Sequence, residues 1–312
     1  MNRTELQYRL TSYLRIREAL GMNVGSDARV LENFIDFAGE ECRDGVTSKL
    51  VFDWLHAATK QHLGNAAGRL TPVRQFLLHL SASFPDTQIP EPYLLSSRKR
   101  PTPFVFSRED IDRLVESAAD VAPGTLSSLV LRTVVGLISA TGLRASEALD
   151  LDRADVALQD DQGTLLIRES KFHKSRIVPL HPSTVRHLAA YATVRDCLPV
   201  QTNALFLSSR GKRLSYEALR QSFHTIVDRA GILARNGSRK PTLHSLRHSF
   251  VVGRLQSWHE QGVDVEGRLV HLATYLGHVG VGESYWYMTA TPELLSAATA
   301  EFRPPALIGG EQ

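Results

Sequence analysis

The sequence predicts a mainly α protein with one small antiparallel β-sheet, organised as an N-terminal helical domain and a larger C-terminal domain. Three observations predict it. Helix-period apolar stripes occur on both sides of residue 100. Strand-like text is confined to residues 153–181. Between the two helical regions stands PEPYLLSSRKRPTPF, residues 90–104, with four prolines and a basic run, which marks a break between packed units. The 312 residues suit about two domains at roughly 150 residues each.

The N-terminal domain is expected over residues 1–96. Val30, Phe34 and Phe37 recur at helical spacing, with Leu31, Ile35 and Ala38 widening the stripe. Leu50, Phe52, Trp54 and Leu55 form a second apolar cluster, and Arg74 to Leu80 a third candidate helix, with Gly64 and Gly68 as punctuation. Nothing there looks catalytic. A basic linker follows over 97–104, containing Arg98, Lys99 and Arg100.

The second domain is expected over 105–312. Ser107 opens a helix, with Asp110 at the capping-box offset. Residues 127–140 are apolar almost all round and predict a buried helix, which Gly142 ends as a left-handed cap. Ser146 is expected to cap the next helix. Val156 and Leu158, then Thr164 to Ile167, then Arg176 to Leu180 read as three short strands. Asp160 to Gly163 would turn between the first two, and Lys171 to Lys174 would join the second pair. From residue 182 the period is helical again.

Composition narrows the class. Hydrophobic residues are 43% and charged residues 22%, which excludes a disordered or collagen-like chain. Two cysteines, Cys42 and Cys197, cannot build a disulfide framework, and there is no CxxC zinc pattern. Apolar runs fall short of the roughly 18 residues of a membrane span, and MNRTELQYRLTSYLRIREAL has no apolar signal core. The expectation is a cytoplasmic protein in a reducing environment, with no membrane partner. Thirty-six Lys+Arg against 33 Asp+Glu gives a net charge of +3, so a basic surface would have to come from sorting of charges.

Nucleotide machinery is missing from the sequence. There is no GxxxxGK[ST] loop, and Gly277, Gly280 and Gly282 lack the lysine and the βαβ setting of a dinucleotide site. HExxH and GxSxG are also missing. His244 and His248 could share a helix face as metal ligands, but no third ligand is near and Arg247 between them would repel a cation. No cofactor or metal is expected. What remains is a scattered set of phosphate-friendly groups beside structural breaks: Arg144 at a helix start, Lys171 in a hairpin, His244 and Arg247 three apart on one helix, His278, and Tyr287 nine residues later. Each alone has a bland reading as an ion pair, a structural histidine or a packed aromatic.

Taken in order, Thr141-Gly142-Leu143-Arg144-x-Ser146-Glu147, the hairpin Lys171, His244-x-Leu246-Arg247-His248, Leu276-Gly277-His278 and Tyr287 resemble the tyrosine recombinase (phage integrase) family, as does the strand text from Lys171 to Leu180. The match runs from about 130 to 290. Residues Ser284 to Tyr287, with Thr291 to Leu294 after them, look more like a mobile-element integrase or transposase than a housekeeping recombinase. The resemblance implies an N-terminal core-binding domain and a C-terminal catalytic domain.

The resemblance also implies site-specific DNA recombination or integration. A tyrosine attacks a DNA phosphodiester, a 3′-phosphotyrosine forms and a 5′-hydroxyl leaves, without metal or ATP. Arg144 and Arg247 would clamp the nonbridging oxygens with planar forks. His244 would accept the phenol proton, Lys171 would protonate the leaving oxygen with Lys174 as its alternative, and His278 would orient the phosphate. Glu147 would orient a catalytic group or serve as a structural partner. Tyr287 is favoured as nucleophile over Tyr285; on a helix the two point roughly 200° apart, so only one can face the phosphate. Candidate DNA contacts are Arg98, Lys99, Arg100, Lys174, Lys212, Arg213, Arg239 and Lys240. The partner would be double-stranded DNA carrying specific core sites, bound by a homo-tetramer or by a hetero-assembly with related recombinases. The alternative within the family is a catalytically idle accessory protein that only binds DNA.

Overall fold

Apolar stripes at helical spacing form four N-terminal helices that close on one another. The computed structural model describes residues 2–22, 24–39, 45–60, 66–91, 103–170, 174–234 and 240–277. Its contacts divide the chain into Met1–Arg100 and Pro101–Gln312. The first unit contains α1 (Arg3–Ala19), α2 (Gly25–Ala38), α3 (Ser48–Lys60) and α4 (Ala66–Ser81). Asn2 caps α1 by accepting from the Glu5 N–H at 2.9 Å. In α2 the buried residues are Leu31, Phe34, Ile35 and Ala38, while Phe37 is 42% exposed. The expected stripe through Phe37 is thus corrected: the four buried positions share an arc of about 100°, and Phe37 falls outside it. Trp54 of α3 packs edge-on to Phe34 at 5.2 Å and donates to Asn33 at 3.0 Å. Gly68 lies within α4, so it does not punctuate as expected.

The second unit is the mainly helical domain with a small sheet that the sequence predicts. It contains α5 (Arg108–Asp120), α6 (Leu126–Thr141), α7 (Ala145–Asp150), a single 3-10 turn at Arg153–Asp155, β1 (Val156–Gln159), β2 (Gln162–Ser170), β3 (Lys174–Leu180), α8 (Pro182–Asp196), α9 (Tyr216–Arg229), α10 (Leu243–Glu260) and α11 (Val265–Leu276). Phe104, placed at the end of the expected linker, is already part of this unit's core together with Phe106. The Phe106 N–H donates to the Ser249 hydroxyl at 2.7 Å, which ties the start of the unit to α10. Ser107 and Asp110 form the expected capping box.

The sheet has the order β1-β2-β3, antiparallel throughout. Val156, Leu165 and Val178 pair across it and are buried, while Leu166 and Ile177 pair on the exposed face. The turn between β1 and β2 is shorter than expected: Gln162 and Gly163 already pair, leaving Asp160 and Asp161, with Asp160 left-handed at φ 49°. Among the described residues no helix is long and apolar enough to cross a membrane.

Candidate active site

The site is assembled from helix ends. The apolar face of α6 buries Val130, Val134, Val135, Leu137 and Ile138, and the helix stops at Gly142 in the left-handed conformation, φ 65°. A Cβ there would also lie 2.4 Å from Cδ1 of Phe250. Glycine is therefore required by both backbone and packing. The sharp stop lets α7 begin three residues later. Its cap differs from expectation. Ser146 lies inside α7, and Arg144 occupies the N-cap. The Glu147 side chain reaches back to the Arg144 N–H at 3.0 Å, supplying from within the helix the cap expected of Ser146.

Arg144 Nη1 also donates to Glu147 Oε1 at 2.8 Å. The same carboxylate accepts two bonds from Arg176 on β3, at 3.1 and 2.9 Å. Burial acts to raise the Glu147 pKa. The Arg176 hydrogen bonds, the Arg144 backbone N–H and the charges of both guanidinium groups outweigh it and hold the carboxylate below its usual range. Arg176 Nε donates to the Tyr275 carbonyl at 2.8 Å, near the end of α11.

Arg247 is 1% exposed. Leu243 and Leu246 seat that stretch of α10 in the core. Its Nη1 donates to the Gly142 carbonyl at 2.7 Å and its Nη2 to the Leu276 carbonyl at 2.9 Å. One guanidinium thus joins the C-terminal ends of α6 and α11. His244 lies one turn earlier on α10. Its residue surface is exposed, yet the protein around the ring, then Arg247 and Arg144, push its pKa below the ordinary histidine value. Arg144, His244 and Arg247 therefore share one electrostatic neighbourhood, although they come from sequence positions a hundred residues apart. His248 packs edge-on to His244 at 4.4 Å, and burial, His244 and Arg247 lower its pKa to about 3. Both imidazoles are neutral at pH 7. Among the described residues no group of three or more His, Cys, Asp or Glu is placed to hold a metal ion.

A cleft of about 290 Å³ opens beside this network, between α7 and β2. Arg144 and Arg168 line it, but so do Glu147, Asp150, Asp152 and Asp155. Four carboxylates make it unfavourable to a phosphate.

Several expected residues lie outside the described residues: Lys171, His278, Tyr287 and its rival Tyr285, and the candidate contacts Arg98, Lys99, Arg100 and Arg239. The backbone flanking two of them is described. Ser170 pairs with Lys174 beneath the Lys171 segment, and Gly277, left-handed at φ 67°, directly precedes His278. Lys212 and Lys240 are exposed. Arg213 is also tied into the fold. Its guanidinium donates to the carbonyls of Leu149 at 2.6 Å and Leu151 at 3.1 Å, and to Asp152 Oδ1 at 2.5 Å. It closes the C-terminal end of α7 while its residue surface stays exposed.

The residue missed as part of the site is Arg176, which the sequence reading held only as strand text. A signal was present. On β3, Val178 and Leu180 face the core at alternate positions, so Arg176 stands in phase with them. A charge on the inward face of a strand needs a buried partner.

A histidine and two guanidinium groups thus stand at helix ends within a mainly helical domain that carries a three-stranded antiparallel sheet. Residues 105–293 match the phage integrase family. The chain is 36% identical over 295 residues to a Sinorhizobium fredii protein assigned as integrase/recombinase y4rB, covering 92% of this chain and 93% of the relative. It is 28% identical over 310 residues to tyrosine recombinase XerD of Oceanobacillus iheyensis, covering 94% and 96%. Its fold is similar to that of the XerH site-specific recombinase bound to palindromic difH substrate in a post-cleavage complex, with a TM-score of 0.69 at 20% identity, covering 91% of this chain and 81% of that one. The chain belongs to the phage integrase, or tyrosine recombinase, family.

Proposed function

We propose that this protein is an active site-specific recombinase that cuts and rejoins duplex DNA with Tyr287 as nucleophile. The observation that carries the reading is the shared neighbourhood of Arg144, His244 and Arg247 at converging helix ends. The Tyr287 oxygen attacks the scissile phosphorus, and the bond from phosphorus to the 5′-oxygen breaks. The phenol proton passes to His244, whose depressed pKa keeps it neutral and able to accept. Lys171, with Lys174 as the alternative, protonates the departing 5′-oxygen. Arg144 and Arg247 neutralise the charge on the nonbridging oxygens, and His278 orients them. The phosphotyrosine conserves the energy of the broken ester, so a second 5′-hydroxyl can reverse the step without ATP or a metal. Arg98, Lys99, Arg100, Lys174, Lys212, Arg239 and Lys240 contact the phosphate backbone, and the working assembly is a tetramer, of this chain alone or mixed with related recombinases, on paired core sites.

The test begins by recovering a binding site from random duplex DNA with the Tyr287→Phe protein. That site is then made as a suicide duplex nicked just 3′ of the scissile phosphate, from which the short fragment carrying the freed 5′-hydroxyl diffuses away. The unaltered protein accumulates a covalent protein–DNA band. Tyr287→Phe binds the same duplex and forms none. An unaltered protein that binds but forms no covalent band would support the idle accessory reading. Undiminished covalent capture by Tyr287→Phe would reject the nucleophile.

A further inference from the structure

We propose that Arg176 is a positioning residue for catalysis, holding Arg144 through Glu147 and tying it to the end of α11 that leads into His278; this rests on the reading of the site under Proposed function. Arg176 uses all three of its nitrogens. Nη1 and Nη2 grip the two oxygens of Glu147 at 3.1 and 2.9 Å, and Nε holds the Tyr275 carbonyl at 2.8 Å. The side chain is only 11% exposed, and Glu147 7%. Glu147 in turn holds Arg144 twice, through its backbone N–H and through Nη1. The relay runs from β3 through α7 to the guanidinium proposed to meet the phosphate.

The α11 end is gripped from two sides. Arg176 takes the Tyr275 carbonyl, and Arg247 takes the next one, that of Leu276. The following residue, Gly277, is left-handed, and a Cβ on it would lie 2.7 Å from Arg176 Nη1. The guanidinium thus fills the space that the missing side chain leaves. Arg144 and Arg247 contribute only if their forks hold a fixed geometry against the phosphate. A planar fork with Nε and both Nη atoms committed can orient a carboxylate and a carbonyl together, which a lysine ammonium cannot do in the same way.

The test compares the unaltered protein, Arg176→Gln and Arg176→Lys on the nicked duplex recovered as above. Each is assayed with a native scissile phosphate and with the two separated methylphosphonate diastereomers. A methylphosphonate has no negative charge for an arginine to neutralise. We expect Arg176→Gln to keep its DNA affinity but to form the covalent band about tenfold or more slowly on the native phosphate. On at least one methylphosphonate its deficit should shrink to within about threefold, and Arg176→Lys should fall between the two. An equal fold-loss on all three substrates would mean a merely structural role and would overturn the proposal, as would unchanged activity on the native phosphate. If Arg176→Gln does not fold, as judged by thermal unfolding, Glu147→Gln carries the same test, since it cuts the relay one step later. Failure of the proposed function gives a different pattern, with the unaltered protein inert on every substrate.

Discussion

Glu147 shows how one side chain can serve stability and geometry together. It is buried, it carries charge, and it is shared by Arg144 and Arg176. Replacing it with Gln leaves two guanidinium groups facing a neutral amide, which should cost about 2–4 kcal/mol at pH 7. The pH dependence follows from its depressed pKa. The stabilisation is present above the unfolded value of 4.5 and is lost as pH falls through the lower folded value. Urea unfolding should therefore show a wide gap between the unaltered protein and Glu147→Gln at pH 7, narrowing steadily below about pH 4.5. A gap of constant size across that range would mean that the carboxylate charge contributes nothing. His244 and His248 act in the same direction at higher pH. Both are held below the ordinary histidine value, so the folded state loses ground as pH falls below 6.5.

At the scale of elements, the site depends on where helices stop. Gly142→Ala should destabilise the protein by about 1–3 kcal/mol, because it adds a Cβ to a left-handed residue and drives it into Phe250. The change should also slow covalent capture, because Arg247 bonds the Gly142 carbonyl. Chemical denaturation together with the suicide-substrate assay checks both, and an Ala variant as stable and as fast as the original would refute the packing argument. This junction was legible in the sequence, because it is set by a short apolar run followed by glycine. So were the Ser107–Asp110 box and the three strands, whose signals are local. The α1 helix was not singled out, because its buried residues Leu6, Leu10 and Tyr13 share the helix with exposed Tyr8 and Ile16. The cap of α7 was misplaced to Ser146, because a glutamate three residues inside did the work expected of a hydroxyl. The bonds of Arg213 to the end of α7 were not legible from its neighbours. Its partners Leu149 and Leu151 lie more than 60 residues away in the chain.

At the scale of the whole molecule, two units each close around their own core, and the second gathers groups that the sequence scatters from Arg144 to Arg247. A phosphate reaction without metal or nucleotide needs cations fixed in advance, and helix ends held by buried arginines provide such fixing. The family was legible because its pattern spans five separate stretches of sequence. The supporting relay through Arg176 was not, because it exists only once β3, α7 and α11 meet. The central claim is that the bond to DNA forms on one particular phenol. The measurement that meets it most directly is mass spectrometry of the trapped complex, trimmed with nuclease and digested with protease. A nucleotide–phosphate adduct is expected on the peptide that carries Tyr287, with fragmentation placing it on that residue. An adduct on Tyr285 or on any other residue would contradict it.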